Sequence, residues 1–242
     1  MLSNNQITNL NKLIKDFNFY GSKKYKLIVL FGLLGDFDSF EYAINLKNFV
    51  NTNQNIDFFA IAIGNKTGKE KFCEFTGFPF NNLEVVYDNK IHQDLMISKG
   101  VDVGLGGWIN MLIMLSGINS LKTVKEVIRG YTGDKNSKQI FSDDDQINLF
   151  NLIKFPGIFF KNTCGEGYLR PFELATYRLN NMLEILQNWN EYILDNKFLA
   201  QRGASFLLDD KEDILYHYFS NDVLGYSSTM DNPLAFLTEK CR

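Results

Sequence analysis

KYKLIVLFGLLGDFDSFEYA, residues 24–43, carries the reading of the fold. Leu27–Leu34 is an unbroken apolar run whose length, β-branched pair Ile28 and Val29, and Gly32/Gly35 punctuation predict a buried strand. From Ser39 to Val50 the spacing turns helical, with Phe40, Ala43, Ile44 and Val50 able to share one face. A short acidic turn, Asp36–Ser39, joins the two, and in an open α/β sheet the turn after such a strand is where sites are built.

Working outward, the 242 residues suffice for one substantial core, and no polar or Pro/Gly linker divides them, so residues 1–242 are expected to form one domain. A net charge of -3 with both signs interspersed gives no general attraction to nucleic acid or to an anionic membrane. Three scattered cysteines, Cys73, Cys164 and Cys241, form neither a disulfide framework nor a metal spacing, and fit a reducing, cytoplasmic setting. The N-terminus reads as an amphipathic helix carrying Ile7, Leu10, Ile14 and Phe17 rather than as a signal peptide.

Downstream, Ile56–Ile63 is a second buried strand and Thr67–Phe75 a helix with Phe72 and Phe75 inward. Glu84–Tyr87 is a third strand, and Asp88 starts a short helix with His92. Right-handed crossovers then build a parallel sheet. Val103–Ile118 is the most apolar piece, too short and too broken by glycine to span a bilayer, and reads as a buried hairpin or helix. Ser120 caps a helix with Leu121, Val124, Val127 and Ile128 inward, closed by Gly130. Asp143–Asp145 reads as the acidic first turn of another helix rather than a cation site.

Pro171 opens the longest helix, running to about Ile193, on which Arg170 and Arg178 read as surface ion-pair partners. Ala204–Leu208 and Ile214–Tyr218 form an antiparallel hairpin, and Asp231 caps a last short helix with Pro233 in its first turn. The expected architecture is α/β: a mixed central sheet flanked by helices, with a large helical insertion at about 97–200 before the C-terminal hairpin, the element order of a thioredoxin-like fold.

Four segments, GDFDSFEYA (35–43), KFCEFTGFP (71–79), RPFELATYRLNNM (170–182) and QRGASFLLDD (201–210), resemble the peroxiredoxin-like branch of the AhpC/TSA group, in the divergent form associated with cyanobacteria and plastids. The resemblance implies a thioredoxin-like fold, redox or antioxidant activity, and a cytoplasmic or plastid-stromal location. It also implies a Cys or CxxC pair at the head of the helix after the first strand, where the helix dipole lowers a thiol pKa. Matching Glu41-Tyr42-Ala43 to the residues after that motif puts Asp36 and Ser39 where the two cysteines would stand. Neither can perform thiol chemistry. Gly203-Ala204 likewise replaces the cis-proline that faces such a site.

The candidate site is therefore a degenerate turn, Asp36, Asp38, Ser39 and Glu41, with Gly203 and Ala204 as its facing loop. The carboxylates read as a helix cap and acidic first turn, with a water-activating base for hydrolysis as the rival reading. Ser39 lacks a GxSxG elbow and a tie to His92 or His217, which read as structural. Cys73, between Phe72 and Phe75, reads as a buried core thiol, Cys164 as a loop thiol and Cys241 as incidental on a tail. Two functions follow: a thioredoxin-fold binding or regulatory module without thiol peroxidase activity, or a thiol peroxidase using a relocated Cys73 or Cys164. No cofactor, metal, nucleic acid or membrane span is expected. The partner is an unidentified protein or a second copy meeting the aromatic insertion around Trp108.

Overall fold

Strand β1 (Tyr25–Leu33) runs through the middle of a five-stranded sheet of order β3-β2-β1-β6-β7. The structure is a computed structural model describing residues 2–50, 55–118, 120–149 and 153–241. β1 pairs parallel to β2 (Ile56–Ile63), which pairs parallel to β3 (Leu83–Val86). On its other side β1 pairs antiparallel to β6 (Ala204–Asp209), the first arm of the expected hairpin with β7 (Ile214–Phe219). Every residue of β1 is buried, so the apolar run that hid its own periodicity does so because both faces of the sheet are covered.

The pleat sorts those residues to two cores. Leu27, Val29, Phe31 and Leu33 pack with α2 (Phe37–Val50) and α3 (Lys66–Thr76), where Phe31, Phe40, Phe72 and Phe78 form a cluster of tilted and edge-on rings. Ile28 and Leu30 point the other way, onto Leu10, Leu13 and Ile14 of α1 (Asn4–Asp16), which Ser3 and Gln6 start with a reciprocal capping box. α3 is capped by Asn65, accepting from the Gly68 amide, and closed by Gly77 in the left-handed region. Phe72 is buried but Phe75, expected inward, is 41% exposed, because its position on α3 leans over the end of the ring cluster rather than into it.

Between β3 and β6 lie α4 (Lys90–Asp94), α5 (Gly107–Leu115), α6 (Leu121–Thr132), a small β4–β5 hairpin (Gln146–Leu149 with Ile153–Pro156), α7 (Ile158–Cys164), α8 (Glu173–Gln187) and α9 (Trp189–Tyr192). Several expectations are corrected here. Asp143–Asp145 heads a strand, not a helix: Asp145 accepts from the Ser142 amide and the chain turns straight into β4. The long helix breaks at Asn188, whose side chain donates back to the Glu184 carbonyl. The last helix, α10 (Ala235–Lys240), begins after Pro233 rather than around it.

The most apolar stretch is helical, yet it is not buried: Asn110 and Met114 of α5 face in, while Trp108, Ile109 and Leu112 are exposed. α6 is capped by Ser120 as expected, but it runs past Gly130 to Gly133 and turns its polar edge inward. Thr123, Glu126 and Gly130 are buried, whereas Leu121, Val127 and Ile128 look outward. The cause is Glu126, which is held inside by Arg129 and Arg178. Trp108 of α5 stacks on Trp189 of α9, with ring centroids 4.6 Å apart and planes 12° from parallel.

Candidate functional site

The pairing of Leu30 with Ala204 carries the residues just before β6 alongside the end of β1 and on to the head of α2. The two backbones approach so closely that only glycine fits. A Cβ on Gly32 would lie 2.3 Å from the Gln201 carbonyl oxygen, and one on Gly203 would lie 2.2 Å from that of Leu30. The facing loop expected at Gly203-Ala204 thus does meet the acidic turn, and what it delivers there is Arg202. α2 starts at Phe37, two residues earlier than its periodicity suggested, because the Ser39 amide already donates to the Asp36 carbonyl.

Arg202 is 2% exposed and reaches both carboxylates. One terminal nitrogen donates to Asp38 Oδ2 at 3.0 Å and the other lies 3.6 Å from Asp36 Oδ2, while its Nε donates to the Ala200 carbonyl. Asp36 receives the Asp38 amide at 3.4 Å and so acts as the expected helix cap. Asp38 does not cap. Its other oxygen accepts from the Leu224 amide at 2.7 Å, turning it from its own helix toward the segment after β7. Tyr226, from that same segment, donates to Asp36 Oδ2, receives the Gly32 amide, and sits 3.1 Å from Ser39 Oγ.

The side chains of Asp36, Asp38, Ser39, Arg202 and Tyr226 are all buried, so two carboxylates share one guanidinium away from water. Burial raises the Asp36 pKa against the pull of Arg202. Burial, reinforced by the neighbouring charge of Asp36, pushes Asp38 up to about 7. Burial likewise lifts Tyr226 well above its ordinary range. The cavities beside Asp36 and beside Asp38 are about 10 Å³ each, room for no more than a water molecule.

Glu41 is drawn into a second network. Arg178 donates through Nε and a terminal nitrogen to both Glu41 oxygens, at 2.7 and 3.1 Å, and also reaches Glu126, which in turn accepts from Arg129. Arg170 pairs with Glu173, both fully buried, and Glu173 also receives the amides of Ile140 and Phe141. Both arginines, expected on the surface, are interior struts that tie the insertion to α2 and to itself. Next to this network is an apolar groove of about 390 Å³ walled by α5, α6 and α8, with Phe37, Tyr131, Phe172, Leu179 and Leu224 among its lining residues. Its volume is in the range of small-molecule sites.

The thiols are elsewhere. Cys73 is in the last turn of α3, Cys164 is the last residue of α7, and Cys241 is the C-terminal cap of α10. A helix C-terminus carries the negative end of the dipole, the wrong end for a thiolate. Burial pushes Cys73 and Cys241 up to about 11. Cys164, expected in an exposed loop, closes a helix and is half-buried, with its carbonyl accepting from the Tyr168 hydroxyl. His92 is fully buried with Nε2 2.7 Å from the Phe31 carbonyl oxygen, and burial lowers its pKa to about 4. His217 packs its ring against Phe219. Among the described residues no cluster of three or more His, Cys, Asp or Glu is arranged to hold a metal, and no helix is long and apolar enough to cross a membrane.

Compared with known proteins, residues 45–222 match the family model described as AhpC/TSA antioxidant enzyme. The chain belongs to that family. With it comes a thioredoxin-like fold, which agrees with the mixed sheet and flanking helices seen here. No curated protein and no solved structure matches the chain. The matched residues of this AhpC/TSA-family chain begin after the turn, so the reading of positions 36–39 rests on their own geometry. What the sequence did not reveal was Arg202, Leu224 and Tyr226. The available signal was an arginine two residues ahead of a largely apolar strand, where a buried charge needs a partner.

Proposed function

We propose that this AhpC/TSA-family chain works without a thiol at the head of α2, as a binding or regulatory module rather than a thiol peroxidase. One observation carries the reading: the positive end of α2, where a thiolate or a bound peroxide anion would be held, is filled by the Asp36 carboxylate with Arg202 and Tyr226 closed over it. Support comes from the sulfurs, each at a helix C-terminus, with Cys73 and Cys241 held well above the range of a reactive thiol. Hydrolysis by Asp36 and Asp38 is disfavoured by the same closure, since neither carboxylate has room beside it for a substrate.

The test is hydrogen peroxide consumption and disulfide reduction with thioredoxin or glutathione as reductant. Wild type is compared with the Cys73→Ser/Cys164→Ser/Cys241→Ser triple variant. Equal background rates are expected. Turnover by wild type that is lost in Cys73→Ser or Cys164→Ser overturns the proposal in favour of a relocated thiol.

A further inference from the structure

The apolar groove between α5, α6 and α8 is opened by features that local structure does not require. Gly130 is buried inside α6, where glycine weakens a helix relative to alanine. Neither its helical backbone nor its packing calls for glycine, since a Cβ there would meet Ala175 of α8 at 3.6 Å, an ordinary contact. What the missing side chain leaves is space, because Gly130 and Ala175 both border the groove. Tyr131 and Phe172, also on its border, meet edge-on with ring centroids 5.9 Å apart, and both are more than half exposed. Phe172 is held there at φ 64°, a left-handed conformation uncommon for a bulky residue, with its amide donating to the Tyr131 carbonyl.

The polar groups of the groove are few, and they select its occupant. Thr8, Thr76, Thr132 and Thr163 each turn the hydroxyl back onto the carbonyl four residues earlier in the chain. Thr176 of α8 does not, and its hydroxyl has no hydrogen-bond partner among the described residues. Arg178 is the one charged side chain among the described residues of the groove, and it is already committed. Its Nε and one terminal nitrogen donate to Glu41 and Glu126, and the other terminal nitrogen donates to the Glu126 carbonyl. No cation is left for an acidic headgroup, while a hydroxyl is left for an acceptor.

We propose that this groove is a binding site for a neutral, largely apolar small molecule that bears a hydrogen-bond-accepting oxygen, such as a ketone, ester or ether. Leu115, Val127, Leu179 and Met182 supply apolar wall, the two exposed rings flank the ligand, and Thr176 Oγ1 donates to its oxygen. Such a ligand leaves the ion pairs of Arg178 intact. A carboxylate in its place would compete with Glu41 and Glu126 for a single guanidinium. Nothing in this requires or excludes peroxide chemistry, so the site stands or falls apart from the reading of α2.

Fluorescence titration of the full chain with Nile red, a neutral dye with a ring carbonyl, tests this, and one saturable site per chain is expected. Gly130→Leu, whose Cβ the packing admits and whose side chain fills the groove, should weaken binding by about tenfold or more. Thr176→Val, which removes the hydroxyl at nearly constant volume, should weaken it by about fivefold. The anionic dye anilinonaphthalene sulfonate should bind about tenfold more weakly than Nile red. Absence of a saturable site, an unchanged affinity in either variant, or equally tight binding of the sulfonate overturns the proposal. Should Gly130→Leu fail to fold, Thr176→Val and the sulfonate decide.

Discussion

Arg202 and Asp38, 164 residues apart in sequence, meet at 3.0 Å with both side chains almost completely removed from solvent. That contact fixes the approach to β6 against the head of α2, and it is where the chain departs most sharply from a helix that would present a thiol.

Removing the arginine strands two buried carboxylates. Arg202→Met is expected to lower unfolding free energy by about 3–5 kcal/mol near pH 8, read from urea denaturation, and by distinctly less near pH 5, where the carboxyls can bind protons. Arg202→Lys should recover part of the loss. A destabilisation of the same size at both pH values would show that the charge of Arg202 is not what matters.

His92 and Asp38 pull the pH dependence of stability in opposite directions. The imidazole is held near 4 in the fold, below its ordinary 6.5, so its contribution is present above about pH 6.5 and is lost as pH falls toward 4. Asp38, raised to about 7, contributes stability below its ordinary 3.8 that is lost as pH climbs through 7. The two limbs overlap and partly cancel. His92→Gln, whose amide can still donate to the Phe31 carbonyl, should remove the first limb, leaving a stability that declines steadily from acid to neutral pH in denaturant melts.

At about pH 8, thiols with pKa values near 11 are ionised to roughly one part in a thousand. Iodoacetamide should therefore label Cys73 and Cys241 of the native protein far more slowly than it labels the same residues in urea. Peptide mapping by mass spectrometry distinguishes the sites. Labelling of native Cys73 as fast as that of a free thiol would contradict the burial argument.

Gly203→Ala should be poorly tolerated. Its new methyl would meet the Leu30 carbonyl oxygen at 2.2 Å and Tyr226 Cε1 at 2.3 Å. A loss of about 1–3 kcal/mol or more is expected in chemical denaturation. Pairing it with Tyr226→Leu should not restore stability, because the Leu30 backbone cannot step aside without breaking the sheet.

The parts of this structure that the sequence made legible are those governed by neighbours along the chain. Ile56–Ile63 is a strand with the expected ends, and the hairpin after Ala204 and the cap at Ser120 follow local rules. The acidic turn was visible too, but its meaning was not. By local preference Asp38 is a cap, and only the β1–β6 register brings up the arginine that claims it. The same failure explains α6, whose apolar residues read as core until Arg129 and Arg178 are seen drawing Glu126 inward from its other edge. The β4–β5 hairpin was missed because four-residue strands have too few alternations to outvote a run of aspartates.

The stacked indoles have a practical consequence. Trp108 and Trp189 are the chain's two tryptophans, and they face each other across the contact between α5 and α9. Indoles stacked in a fixed, asymmetric setting contribute a near-ultraviolet dichroic signal that lasts only while α5 stays packed on α9. Its loss on heating therefore times the detachment of α5, and comparison with the far-ultraviolet signal tells whether that helix leaves before the sheet melts or together with it.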